Sequence, residues 1–101
     1  MKICIITMCY KNYELLEKWY RHHSEVVGAS NLFVLSHGND PLHREIAPLA
    51  SVIGVPRDTL IDFDKRRNNA LNNLQSSLSY YYDWVFRTDD DELLVYDPSL
   101  Y

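Results

Sequence analysis

The sequence predicts an α/β fold in which a parallel sheet of about four strands carries helices on both faces. Two features lead there. Short apolar runs rich in β-branched residues alternate with longer stretches of helical periodicity, in the order strand, helix, strand, helix, strand, helix, strand. That alternation is the pattern of right-handed crossovers in a parallel sheet. The first run, Lys2 to Cys9, is almost wholly apolar rather than alternating. A strand buried on both faces has this composition, which predicts it to be central.

Each element follows from its local pattern. A polar turn at Lys11-Asn12 leads into a helix whose positions Leu15, Leu16, Trp19, Tyr20, His23, Val26 and Val27 form one stripe, with Asn12 as N-cap and Gly28 as stop. Leu32 to Leu35 is the second strand, closed by the turn formers Ser36-His37-Gly38-Asn39-Asp40-Pro41. A short helix from Pro41 through Ile46 and a third strand from Ser51 to Val55, closed by Pro56, come next. From Asp62 to Tyr81 a long helix carries Phe63, Ala70, Leu71, Leu74, Leu78 and Tyr81 on its apolar side, with Arg66, Arg67, Asn69, Asn72 and Asn73 on its polar surface. Trp84-Val85-Phe86 is the last strand, and the stretch from Glu92 onward leads out of the sheet. Such a sheet is Rossmann-like, and ligands of open α/β sheets bind beyond the carboxyl ends of the strands, where strand order reverses. The loops Thr7 to Asn12, Ser36 to Asp40, Val55 to Asp58 and Thr88 to Glu92 all lie there.

The 101 residues suit one compact domain. With 47% apolar and 24% charged residues, the composition is globular rather than disordered or collagen-like. A net charge of −4 argues against a nucleic-acid surface, which gathers basic residues on one face. The basic cluster Lys65-Arg66-Arg67 suits a diphosphate instead. No run approaches the ~20 apolar residues of a membrane span. Lys2 to Ile6 is too short for a signal peptide, so a cytoplasmic address is expected. Cys4 and Cys9 fall in one strand on opposite faces, about 16 Å apart at ~3.3 Å per residue, and are expected to be reduced, buried thiols.

The acids Asp89-Asp90-Asp91-Glu92 directly follow an apolar strand, and adjacent carboxylates repel one another unless a cation neutralises them. One answer is a divalent ion, Mn²⁺ or Mg²⁺, which takes oxygen ligands and leaves positions open for phosphate. The other is a solvated acidic turn opening a helix, favoured by the helix dipole. Asp64 to Asn69 offers guanidinium forks and amides that match phosphate, ribose and carboxylate, or else an ordinary solvated helix face. His37, in a strand-end loop, can touch a base or ribose or be an ordinary loop histidine. Adjacent helical positions point about 100° apart, so His22 and His23 cannot chelate one ion, and His23 is read as a core or boundary residue. His43 has no evident partner. The chain has no glycine-rich phosphate loop, G-x-S-x-G elbow or C-x-x-C pair, which removes common NTPase, hydrolase and redox classes.

Several segments carry a resemblance in the same order over nearly the whole chain: Ile3-Cys4-Ile5-Ile6-Thr7 with Tyr10-Lys11-Asn12; Leu15 to Trp19 with His22, His23 and Gly28; Phe33-Val34-Leu35 with Gly38-Asn39-Asp40; Lys65 to Ala70; and Asp83 to Glu92. Together they resemble the glycosyltransferase family 2-like proteins of the GT-A fold, in the branch whose metal motif reads D-x-D-E. The resemblance implies a nucleotide-diphosphate sugar as donor, its diphosphate bridged by Mn²⁺ or Mg²⁺ to Asp91 and, directly or through water, to Asp89. The metal would act as a Lewis acid on the departing nucleotide while an acceptor hydroxyl attacks the sugar's anomeric carbon. Arg67 and Asn68 would contact the donor and Thr7 and Tyr10 would lie beside the base, with His37 and Asp40 completing the nucleotide-sugar site.

Ser36 and His37 stand where the family usually has acids, which leaves the nucleotide open. The acceptor, whether glycan, lipid or protein, is open too, and no catalytic base is nominated. Residues 1–101 are expected to form a single nucleotide-sugar-binding domain, the N-terminal half of a GT-A fold, truncated relative to a full GT-A enzyme and lacking its acceptor site and general base. A sheet cut after its fourth strand leaves an edge unpaired, which predicts a homo-oligomer formed through Tyr80, Tyr81, Tyr82 and Trp84. Two other readings compete. One is a non-catalytic nucleotide- or metal-binding module. The other is an interaction domain whose acids and arginines pair only with each other.

Overall fold

A computed structural model describes residues 1–94. Seven elements follow one another: β1 (Ile3–Cys9), α1 (Tyr13–Val27), β2 (Leu32–His37), α2 (Pro41–Ile46), β3 (Ser51–Val55), α3 (Phe63–Leu78) and β4 (Trp84–Arg87), with a 3-10 turn at Ala29–Asn31 before β2. The strands form one parallel sheet in the order β3-β2-β1-β4. The apolar first run is therefore an interior strand, as predicted. From β1 the chain steps outward to β2 and β3, then returns along α3 to the opposite side of β1, so strand order reverses between β1 and β4. This is a small four-stranded α/β domain of general Rossmann-like arrangement.

Strand parity divides the core. Ile5 and Cys9 of β1 and Leu32 and Val34 of β2 pack with Leu16 and Trp19 of α1, and Ile46 of α2 joins them. Ile6 and Met8 of β1 and Leu35 of β2 face the other way, onto Leu71 of α3 and its neighbours Ala70, Leu74 and Leu78. Each such large side chain, once buried, contributes roughly 1.5–3 kcal/mol. The helices thus cover both faces of the sheet, α1 and α2 on one and α3 on the other.

Several local expectations shift. Leu15 and Val26 flank the α1 stripe and are exposed, whereas Leu16, Trp19 and His23 are fully buried. Asn12 adopts a left-handed φ of 42° and makes no side-chain cap; its amide donates to Asp90 instead. β2 runs on to His37, past the predicted stop at Leu35. Tyr81 lies beyond the end of α3 and is exposed. Of the stretch expected to leave the sheet, Glu92 to Leu94 belong to no strand, and residues 95–101 lie outside those described.

Among the described residues β3 and β4 are the sheet edges. On β4, Trp84 and Phe86 are exposed and stack at 6.3 Å, and Tyr80 and Tyr81 are exposed nearby. Tyr82 is not free in the same way: its hydroxyl donates to Asn31 and the Lys2 ammonium lies 5.0 Å from its ring centre. No helix among the described residues is long and apolar enough to cross a membrane.

Both cysteines are free and buried. Burial pushes the Cys4 thiol up to about 11. Burial, aided by Asp90, raises Cys9 further. Thiolate is the reactive form, so neither cysteine is expected to react with iodoacetamide at pH 8 until the protein unfolds. Alkylation of the native chain at the rate of a free peptide thiol would contradict this packing.

His23 Nδ1 donates to the Trp19 carbonyl and Nε2 accepts the Leu94 N–H, which holds the ring neutral. Burial lowers its pKa below the ordinary 6.5, the Trp19 carbonyl opposing in part. Below pH 6.5 the unfolded chain then binds more protons than the folded one, so stability present above that pH falls as the solution is acidified. Urea unfolding at pH 7.5 and 5.5 should show the loss, and His23→Gln should make the dependence shallower. An equal slope in the variant would show that His23 does not contribute.

Candidate functional site

The reversal of strand order places the ends of β1 and β4 side by side, and buried hydrogen bonds fix the loops that leave them. The Thr7 hydroxyl donates to the Thr88 carbonyl at 2.8 Å, and the Trp19 indole N–H donates to the Thr88 hydroxyl at 2.8 Å. All three residues are buried. A second relay starts at Ser36, whose hydroxyl meets His43 Nδ1 at 2.7 Å, while His43 Nε2 donates to the Lys11 carbonyl at 2.9 Å. The Ser36 oxygen also accepts the Asp40 N–H. The loop after β1, the end of β2 and the start of α2 are thereby held together.

On the α3 side of the sheet, these loop ends border a two-lobed cleft. Strand parity brings Met8, His37 and Val55 to that face, and the N-terminal turns of α3 supply Phe63, Arg66 and Arg67. The inner lobe, about 140 Å³, is lined by Met8, His37, Val55, Pro56, Phe63, Arg66, Arg67 and Ala70. The outer lobe, about 310 Å³, shares Met8, His37, Phe63 and Arg67 and adds Tyr10, Asn12 and Asp89 to Asp91. His37 packs against Phe63 with ring centres 5.2 Å apart and meets Tyr10 edge-on at 6.0 Å. The Arg57 guanidinium lies over the Tyr10 ring at 3.7 Å and donates to His37 Nδ1 at 2.9 Å. Gly54 braces this arrangement from below. A Cβ there would lie 2.0 Å from the Asn39 amide oxygen, so only glycine lets the Asn39 turn close behind His37.

Three of the four acids of the turn are hydrogen-bonded from within the chain, one of them by a cation. Asp89 accepts from Arg67 at 2.7 Å, Asp90 accepts from Asn12 at 3.0 Å, and Glu92 turns back to accept the Asp89 N–H at 2.7 Å. The expectation of a Mn²⁺ or Mg²⁺ ion on Asp89 and Asp91 is therefore corrected. Among the described residues no group of three or more His, Cys, Asp or Glu side chains is arranged to hold a metal ion. Asp89, Asp90 and Glu92 point to separate partners, and the Arg67 guanidinium stands against Asp89 where the cation was expected.

Of the residues predicted for the site, Tyr10, His37, Arg67, Asp89 and Asp91 come together at the cleft. Thr7, Asp40 and Asn68 do not line it. Thr7 is committed to Thr88. Asp40 caps α2 by accepting the Leu42 N–H and also receives the Tyr13 hydroxyl at 2.6 Å, the latter chiefly responsible for holding its carboxyl below the usual range. Asn68 accepts from Arg87 and ties α3 to β4. Sequence reasoning passed over Arg57 and Phe63 as site residues, although the Val55 to Asp58 loop was marked as lying at the binding end.

No family profile matches this chain, and neither a curated protein nor a solved structure matches it.

Because Asp89 is taken by Arg67 and no group of three ligands is assembled among the described residues, millimolar Mn²⁺ or Mg²⁺ alone is expected to leave the thermal unfolding midpoint unchanged. An ion binding only the folded form would stabilise it by ~2.7 kcal/mol at a hundred times its dissociation constant, so a rise of several degrees would reinstate the metal site.

Proposed function

We propose that the cleft binds a nucleoside diphosphate, and that the chain is the donor-binding part of a glycosyltransferase acting on nucleotide-diphosphate sugars. The observation that carries the binding reading is the placement of Arg67, with Arg66 beside it on Asp58 at 3.2 Å, next to an aromatic shelf at the carboxyl end of the sheet. Guanidinium groups match phosphate oxygens in geometry and charge, and the apolar walls of Met8, Val55, Pro56 and Phe63 suit one flat face of a base. The glycosyltransferase part rests on the ordered resemblance of Lys65 to Ala70 and Asp83 to Glu92 to that family.

A second reading draws on the Arg67–Asp89 pair. It is the pairing that an interaction domain with mutually compensated charges would make. Titration calorimetry with a panel of nucleoside diphosphates, in buffer free of divalent ions, separates the two. The first reading expects saturable binding that Arg67→Ala weakens about tenfold or more, as loss of a charge-assisted contact of ~1.5–3 kcal/mol requires. No heat and no competition by any nucleotide would favour the interaction domain.

A further inference from the structure

The inner lobe restricts which base the cleft can hold, an inference that rests on the nucleotide-binding reading. Its volume of about 140 Å³ is continuous with the outer lobe of about 310 Å³, so discrimination among bases rests on its polar groups rather than on its size. Its polar side chains are Arg66, Arg67 and His37. A guanidinium donates only, so the hydrogen-bond character of the lobe turns on the imidazole.

Arg57 settles the tautomer. Because a guanidinium cannot accept, its contact with Nδ1 at 2.9 Å makes that nitrogen the acceptor, and the neutral ring carries its proton on Nε2. Burial, then Arg57 and Arg66, hold the His37 pKa below its ordinary value, consistent with a neutral ring at pH 7. The residue is 7% exposed. Nε2 has no hydrogen-bond partner among the described residues, yet no fully buried side-chain nitrogen or oxygen is left unpartnered there. Nε2–H therefore opens onto the cleft that the ring lines, and the side chains of the inner lobe present donors without an acceptor.

We propose that His37 makes this a cytosine-selective site, admitting cytidine nucleotides in preference to uridine nucleotides. Cytosine offers two adjacent acceptors, O2 and N3, to the imidazole and guanidinium donors, and its amino group can face the open mouth. Uracil carries a donor, N3–H, between its carbonyls. A pose that satisfies those carbonyls aims N3–H at the same donors and leaves it unpaired.

The test is calorimetric titration of the chain at pH 7.5 with CDP, UDP, ADP and GDP. An unpaired buried donor translates to CDP binding roughly ten- to a hundredfold more tightly than UDP. His37→Asn, whose amide can rotate to donate or accept, should bring the CDP to UDP ratio close to one, and His37→Asp should invert it. Circular dichroism confirms that each variant is folded, and the ratio is read only in folded variants. A purely structural role for His37 would weaken both pyrimidines alike and leave the ratio unmoved, which overturns the assignment, as does equal binding of CDP and UDP by the parent chain. Either result leaves nucleotide binding standing, whereas the absence of binding by all four nucleotides removes both proposals.

Discussion

Thr88 is the point on which the binding end of the sheet depends. β4 is a short edge strand of four residues, and an edge strand that short is weakly specified by its ladder alone. Its continuation is fixed by other means. The Thr88 N–H donates to Ile6, its carbonyl accepts from Thr7 and its hydroxyl accepts from Trp19, so one buried residue is bonded to β1 twice and to α1 once. Leaving any of these buried groups unpaired costs about 1–3 kcal/mol, which fixes the course of the chain as it leaves the sheet. The acidic turn begins at the next residue, and its position relative to Arg67 follows from that anchoring.

The cleft depends in the same way on loops whose polar groups are satisfied internally. Ser36, His43 and Lys11 form a buried relay that joins three loop ends, and Gly54 lets the Asn39 turn close over β3. These contacts leave His37 directed onto the α3 face, where its ring is clamped between Phe63 and the Arg57–Tyr10 stack. A base-sized surface at a strand end is rigid only when the loop beneath it cannot relax, and loop hydrogen bonds supply that rigidity here.

The order of the elements was legible because periodicity and turn chemistry are local. Ser51 to Val55 and Pro41 through Ile46 occupy the predicted ranges, and the unbroken apolar run of the first strand announced its interior place. What sequence could not show is which polar groups consume one another. Four adjacent acids look uncompensated when their cation, Arg67, sits 22 positions earlier on another element. Thr7, Asp40 and Asn68 are ligand contacts only by resemblance, and their partners here, Thr88, Tyr13 and Arg87, are distant in the chain. His43 lacked an evident partner because both of its partners arrive only when the loops meet. Arg57 carried a weak signal, a lone cation in a strand-end loop, and its meaning depended on Tyr10 and His37.

The Arg67–Asp89 contact also bears on how a diphosphate would lie under the proposed function. The Asp89 side chain is 59% exposed, and such a solvent-exposed pair is worth only about 0.2–1 kcal/mol, so Arg67 can be shared with a ligand at small cost. Asp89 and Asp91 line the outer lobe, however, and a phosphate placed against them would meet like charge in a half-enclosed space. The diphosphate is therefore favoured on the side of Arg67 turned away from Asp89, with the base inward on Phe63 and His37. That orientation turns the acidic side of the cleft toward the group beyond the second phosphate. A sugar suits such a wall, because its hydroxyls donate hydrogen bonds that carboxylates accept and it brings no charge of its own. The arrangement that leaves no metal-holding group among the described residues is thus compatible with a nucleotide-sugar ligand, in which Arg67 would serve the phosphate and the acids the sugar.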